Sequence, residues 1–110
     1  MDLTLNSEII QLHAEICGGL ADANRIMILY ELGAAPKNVT ELCNTLNLPQ
    51  SLVSSHLKIL RERHMVETER HGTVIIYSLA DSRLTQALDL LRAVMRERLA
   101  KNAALVSAMD

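Results

Sequence analysis

No stretch of these 110 residues is apolar for long enough to span a bilayer, and no basic-then-apolar segment near the amino end suggests export. These absences lead to the expectation of a cytoplasmic protein with no membrane partner. Cysteine is scarce, with only Cys17 and Cys43, and both are expected to stay reduced at rest, which excludes a framework of structural disulfides. Glycine-rich phosphate loops are missing, and no nucleophile has a base at a recognisable spacing, so an enzyme is not expected. An excess of charge of one sign is missing too: 11 Lys and Arg stand against 13 Asp and Glu. Any nucleic-acid partner must therefore be met by a local patch. Lys58, Arg61, Arg63 and Arg70 supply one, though Glu62, Glu67 and Glu69 nearly cancel it.

The chain is long enough for one domain, and its centre is the stretch from Thr40 to Leu79. Thr40 reads as the cap of a short helix ending near Leu46, with Leu42 and Leu46 inward. Asn47-Leu48-Pro49-Gln50 breaks it, because proline cannot continue one helix but suits the start of the next. The following helix, Gln50 to Arg63, has two faces. Val53, Leu57 and Leu60 form an apolar stripe. Opposite them stand Ser51, Ser54, Ser55 and Lys58, whose small donors can approach phosphates and base edges. The pair is a helix-turn-helix. Val66–Arg70 and Thr73–Leu79 then read as two strands joined through His71-Gly72, a hairpin wing with Arg70, His71 and Thr73 at its tip.

Around this centre lie three further helices. Leu5, Ile9, Leu12, Ile16 and Leu20 recur at helical spacing, and Gly18-Gly19 near the end suggests a bend or flexible joint. Asp22 caps a second helix from Asn24 to about Leu32, stopped by Gly33. Asp81 or Ser82 caps a last one from Arg83 to about Val106, with Leu84, Leu88, Leu91, Met95 and Leu99 on one stripe. So long a helix overruns the domain, and its surplus is best buried against a second copy of the chain. The expected fold is mainly α with a β-hairpin between the fourth and fifth helices.

Four blocks occur in order: Leu20-Ala21-Asp22-Ala23-Asn24-Arg25-Ile26-Met27-Ile28-Leu29, Val39-Thr40-Glu41-Leu42, Ser54-Ser55-His56-Leu57-Lys58-Ile59-Leu60-Arg61 and Gly72-Thr73-Val74-Ile75-Ile76-Tyr77-Ser78-Leu79. Together they resemble the arsenic-repressor (ArsR/SmtB) family of transcription regulators, over roughly residues 9 to 106. The resemblance implies a winged-helix homodimer that binds double-stranded operator DNA and is released by a metal ion or a redox signal. It adds His56, through the serine-x-histidine-leucine motif, to the candidate DNA-binding set of Gln50, Ser51, Ser54, Ser55, Lys58, Arg70, His71 and Thr73; the alternative for His56 is a histidine satisfied beside the core. Where many relatives have arginine this chain has Ser55, and where they commonly have a left-handed glycine it has His64.

The signal is the open question at this level. Zinc sensors of the family carry histidines on the last helix, and no histidine follows Arg83 here. Arsenite and cadmium sensors have a cysteine pair where Asn38 and Thr40 stand, and persulfide-responsive members pair a second-helix cysteine, here Tyr30, with one on the last helix. What remains is Cys17 and Cys43 as sensing thiols. Cys43, three residues past the expected cap, would be favoured as thiolate by the helix dipole; its alternative is a small core residue. His13 and Cys17 share a helical face, so with Cys43 of a second chain they form a candidate zinc or copper set, the alternative being a polar flank. A winged-helix protein-interaction module that does not touch DNA is the rival from another class.

Overall fold

Burial in the computed structural model, which describes residues 2–109, is concentrated around one helix-turn-helix. Helix α1 (Leu3–Leu12) continues into a π-turn (His13–Cys17); then come α2 (Ala23–Ala34), α3 (Val39–Leu46), α4 (Gln50–Glu62), β1 (Val66–His71), β2 (Val74–Leu79) and α5 (Arg83–Met109). Ile28, Leu29 and Leu32 of α2 meet Leu42 of α3, Val53, Leu57 and Leu60 of α4, Met65, Val66, and Leu88 of α5 in one buried cluster. Each such side chain stabilises the fold by roughly 1.5–3 kcal/mol relative to exposure. The expected winged helix-turn-helix is present, and its inward stripes are those read from the periodicity.

Local chemistry sets the joints. Asp22 caps α2, its Oδ1 accepting from Asn24 N at 2.8 Å. Gly33 does not stop that helix, which runs on to Ala34. Asn38, rather than Thr40, caps α3: its Oδ1 accepts from Glu41 N at 2.9 Å while Glu41 Oε1 accepts from Asn38 N at 3.1 Å, a reciprocal capping box. Asn47 turns left-handed at φ 55° to end α3, and Pro49 opens α4. His64 takes φ 60°, the left-handed conformation its place implied.

The strands pair antiparallel from Val66 with Leu79 to His71 with Val74, so the two-residue turn is Gly72-Thr73 and not His71-Gly72. Gly72, at φ 65°, occupies the first turn position, which suits a type II′ hairpin. The wing is tied down at its far strand: Lys37 N donates to Tyr77 O at 3.0 Å and Tyr77 N to Lys37 O at 2.8 Å, linking β2 to the loop before α3.

The chain does bend directly after Gly18-Gly19, where helix gives way to a turn at Leu20, but the glycines themselves are packed and helical. Gly18 is helical (φ −60°, ψ −37°), and a Cβ built there would lie 2.5 Å from Arg63 Nη1, while one on Gly19 would run into Met65 Sδ. The glycines are there for close approach. The flanking helices differ from the centre: α1 has no buried residue, and α5, about 40 Å long, leaves the core after Leu88.

Candidate nucleic-acid interface

Helix α4 sorts its side chains by face. Val53, Leu57 and Leu60 are fully buried, whereas Gln50, Ser51, Ser54, Ser55 and Lys58 are all exposed on the other side. With Pro49 rather than a polar side chain at its cap, α4 begins with main-chain amides that no side-chain cap occupies. The exposed face therefore combines amide donors, short hydroxyls and one ammonium, which suits contact with phosphates and base edges.

At the wing, Arg70, His71 and Thr73 are exposed as expected. Arg70 Nε donates to Gly72 O at 3.2 Å, which keeps the guanidinium at the tip. The register explains how the wing can be basic despite its acids. Arg70 shares a strand face with Thr68 and Val66, opposite Ile75, Tyr77 and Leu79, while Glu67 and Glu69 project from the other face. His71 lies with those acids, its Nε2 3.4 Å from Glu69 Oε1. An open cleft of about 300 Å³ separates the wing from the start of α3, lined by Asn38, Thr40, Thr73 and Tyr77 among others.

His56 takes the core-side place that is the alternative to its DNA-binding role. Only 6% of it is exposed, so it is not a DNA contact: it projects from the buried side of α4. Arg25 Nη1 lies 3.3 Å from His56 Nδ1. Because arginine can only donate, Nδ1 accepts and the neutral ring carries its proton on Nε2. That atom has no hydrogen-bond partner among the described residues; Asp22 Oδ1 is 3.8 Å away. Arg63, counted in sequence as a patch cation, is also turned inward, and its Nη1 donates to Ala14 O and, at 3.0 Å, to Glu15 O. Periodicity had no means of finding this pairing, since Arg63 and the π-turn lie nearly fifty residues apart.

The candidate sensing residues are dispersed. Cys17 is exposed on the π-turn and Cys43 is half-buried against the core; both are free thiols. With Asn38 as cap, Cys43 falls in the second turn of α3 and not the first, so the dipole acts on it less than expected. Among the described residues of one chain, no three His, Cys, Asp or Glu side chains gather as a metal set, so His13, Cys17 and Cys43 of a single protomer do not form one. Tyr30, at the position where persulfide-responsive relatives carry cysteine, instead donates its hydroxyl to Asp89 Oδ1 at 2.7 Å and lies under Arg92. That hydroxyl is the chief cause raising the Arg92 pKa above its ordinary value.

Helix-turn-helix, antiparallel wing and a long carboxy-terminal helix define a winged-helix regulator. Residues 22–68 match the bacterial regulatory protein, arsR family. The HTH-type transcriptional repressor SmtB of Mycobacterium tuberculosis is 42% identical over 77 residues, 70% of this chain and 57% of that protein. The arsenical resistance operon repressor of Bacillus subtilis is 35% identical over 89 residues, 80% of this chain and 84% of that repressor. The solved structure of Rv0081 from M. tuberculosis superposes with a TM-score of 0.76 at 31% identity, covering 86% of this chain and 96% of that one. This chain belongs to the ArsR family, whose matched members are regulators of transcription rather than enzymes. It spans 57% of the length of the SmtB repressor it matches. Among the described residues, no helix is long and apolar enough to cross a membrane.

Proposed function

We propose that the protein is a dimeric, DNA-binding transcriptional repressor that a thiol signal releases from its operator. The observation that carries the DNA-binding half is the polar face of α4, where Gln50, Ser51, Ser54, Ser55 and Lys58 stand exposed above a fully buried apolar stripe beside the wing. In this reading Lys58 and Arg70 anchor phosphates, and Gln50, Ser51 and Ser54 approach base edges in the major groove. Two copies pair through the exposed apolar faces of α1 and α5, setting two reading helices one turn of DNA apart.

Cys17 is the thiol better placed to receive a signal, being exposed, with Cys43 as its candidate partner in a disulfide or polysulfide. Such a link needs the two Cα atoms within about 7 Å of one another. Release follows only if the modified thiol favours one arrangement of the reading helices over the other.

The test is the affinity of reduced, metal-free protein for DNA upstream of its own gene across a salt series, repeated after mild persulfide or disulfide oxidation. Tight, salt-dependent binding is expected, with a thiol-reversible loss on oxidation that Cys17→Ser abolishes. Lys58→Ala should weaken binding to all sequences and reduce the slope of log affinity on log salt by about 1 per subunit. No binding in low salt favours an interaction module; tight binding in both redox states removes the thiol signal. Zinc or copper retained through desalting would instead favour a site built from His13 and Cys17 with the partner's Cys43.

A further inference from the structure

We infer that Arg63 and Arg25 are positioning residues that clasp the carboxyl end of the first helix, so that the reading helix α4 follows the amino-terminal helix. The inference rests on the DNA-binding reading above.

Three observations converge on this clasp. First, the main chain changes register there: Gly18 N reaches back to His13 O in π fashion, and Leu20 N then returns to Ile16 O and Cys17 O. The carbonyls in the changeover, Ala14 O and Glu15 O, are the ones that accept from Arg63 Nη1. Second, the last two carbonyls of the segment are held by the other arginine. Arg25 Nε donates to Gly19 O at 2.9 Å and Nη2 to Gly18 O at 3.4 Å. A helix carboxyl end carries partial negative charge, so two guanidinium groups are the side chains best suited to it. Third, both arginines also reach α4: Arg63 directly follows its last residue, and Arg25 touches His56 in its middle. Two points on the reading helix are thereby tied to one end of the first helix.

Glycine makes the approach possible. A methyl group on Gly18 would sit in the place of the Arg63 guanidinium. Gly18 nevertheless has ordinary right-handed helical angles, so alanine fits its backbone and is the better helix former. Gly18→Ala thus displaces the clasp without altering charge and without unwinding the segment. Arg63 turns its Nη1 to two carbonyls and is half-buried, unlike the exposed Lys58 and Arg61. Its part in DNA binding is therefore orientation and not phosphate neutralisation.

The experiment titrates full-length, reduced, metal-free protein with DNA upstream of its own gene, across a salt series, for Gly18→Ala, Arg63→Ala, Arg63→Lys and the Gly18→Ala/Arg63→Ala pair. Each of Gly18→Ala and Arg63→Ala should lower affinity about tenfold with an unchanged salt slope, as expected for the loss of one coupled contact. The pair should lose no more than either alone, and Arg63→Lys should recover part of the loss. A slope flattened by about 2 per dimer in Arg63→Ala would make it a phosphate ligand and overturn the inference. So would additive losses, or full affinity in Gly18→Ala. Should the unaltered protein bind no DNA at all, the DNA reading fails by itself. Amide exchange then decides the clasp: faster exchange at the end of α4 in Gly18→Ala supports it, and unchanged exchange overturns it.

Discussion

The reading head and the two helices that flank it follow different rules. From Asp22 to Leu79 the apolar stripes of α2, α3 and α4 close on one another, leaving Leu29, Leu42, Val53, Leu57 and Leu60 with no exposure. Helix α1 buries nothing, and past Leu88 helix α5 shows Leu90 and Val94 at 71% and 65% exposure. Both regions carry apolar residues at helical spacing. What separates them is cover: one stripe is covered within the chain, and the other is not, which is why a second copy is its proposed cover.

The strongest way to break this contrast is to charge the surplus. Leu91→Glu with Val94→Glu, one turn apart on α5, should leave the helix-turn-helix folded but prevent pairing. DNA affinity should then fall at least about a hundredfold, because each half-site is bound alone and the gain from linked sites disappears. Sedimentation and titration of the same samples check it. A monomer that binds as tightly as the unaltered protein would mean that the exposed faces serve something other than pairing.

A smaller effect sharpens the contrast by using the same substitution in both regions. Leu57→Ala should cost about 2–5 kcal/mol in urea unfolding, the penalty of a cavity in a closed core. Leu99→Ala, on the exposed run of α5, should instead change how the unfolding midpoint depends on protein concentration. If the two variants behave alike, α5 is covered within its own chain.

The same division explains what could be read from the sequence. Periodicity marked Val53, Leu57 and Leu60 as buried and Ser51, Ser54, Ser55 and Lys58 as exposed, because an α-helix returns to one face every three to four residues. The Asn38–Glu41 spacing is a capping-box signal that competes with Thr40, and its winning moves Cys43 out of the first helical turn. His56 was the harder case. Its motif placed it beside Ser55, but a side chain two positions from Ser54 points elsewhere on the helix, toward Arg25. Gly18-Gly19 misled as to flexibility for a physical reason: glycine weakens an isolated helix, yet here its missing Cβ admits Arg63 and Met65. Contacts across nearly fifty residues leave no local pattern. The clasp could be found only once the fold had brought α4 beside the π-turn.

The smallest expected effect lies where the two regions join, at the start of α5. Asp81 Oδ1 accepts from Arg83 N at 2.9 Å, and the carboxylate also takes two arms of the Arg83 side chain, at 3.0 Å from Nε and 2.7 Å from Nη2. Chiefly through that side-chain bond, the Asp81 pKa falls from 3.8 to about 2, while that of Arg83 rises. A carboxyl held lower in the folded state stabilises it fully above pH 3.8, and this contribution fades as pH drops toward 2. Both groups are solvent-exposed, so salt should weaken the effect. Asp81→Asn keeps a capping oxygen but loses the charge, and should therefore be slightly less stable at neutral pH and converge on the unaltered protein as pH falls through about 2. Asp81→Ala loses the cap as well and should stay below both throughout. Urea midpoints measured against pH at low and high salt separate the three. A constant gap between the asparagine variant and the unaltered protein down to pH 2 would mean that shape, and not charge, joins α5 to the reading head.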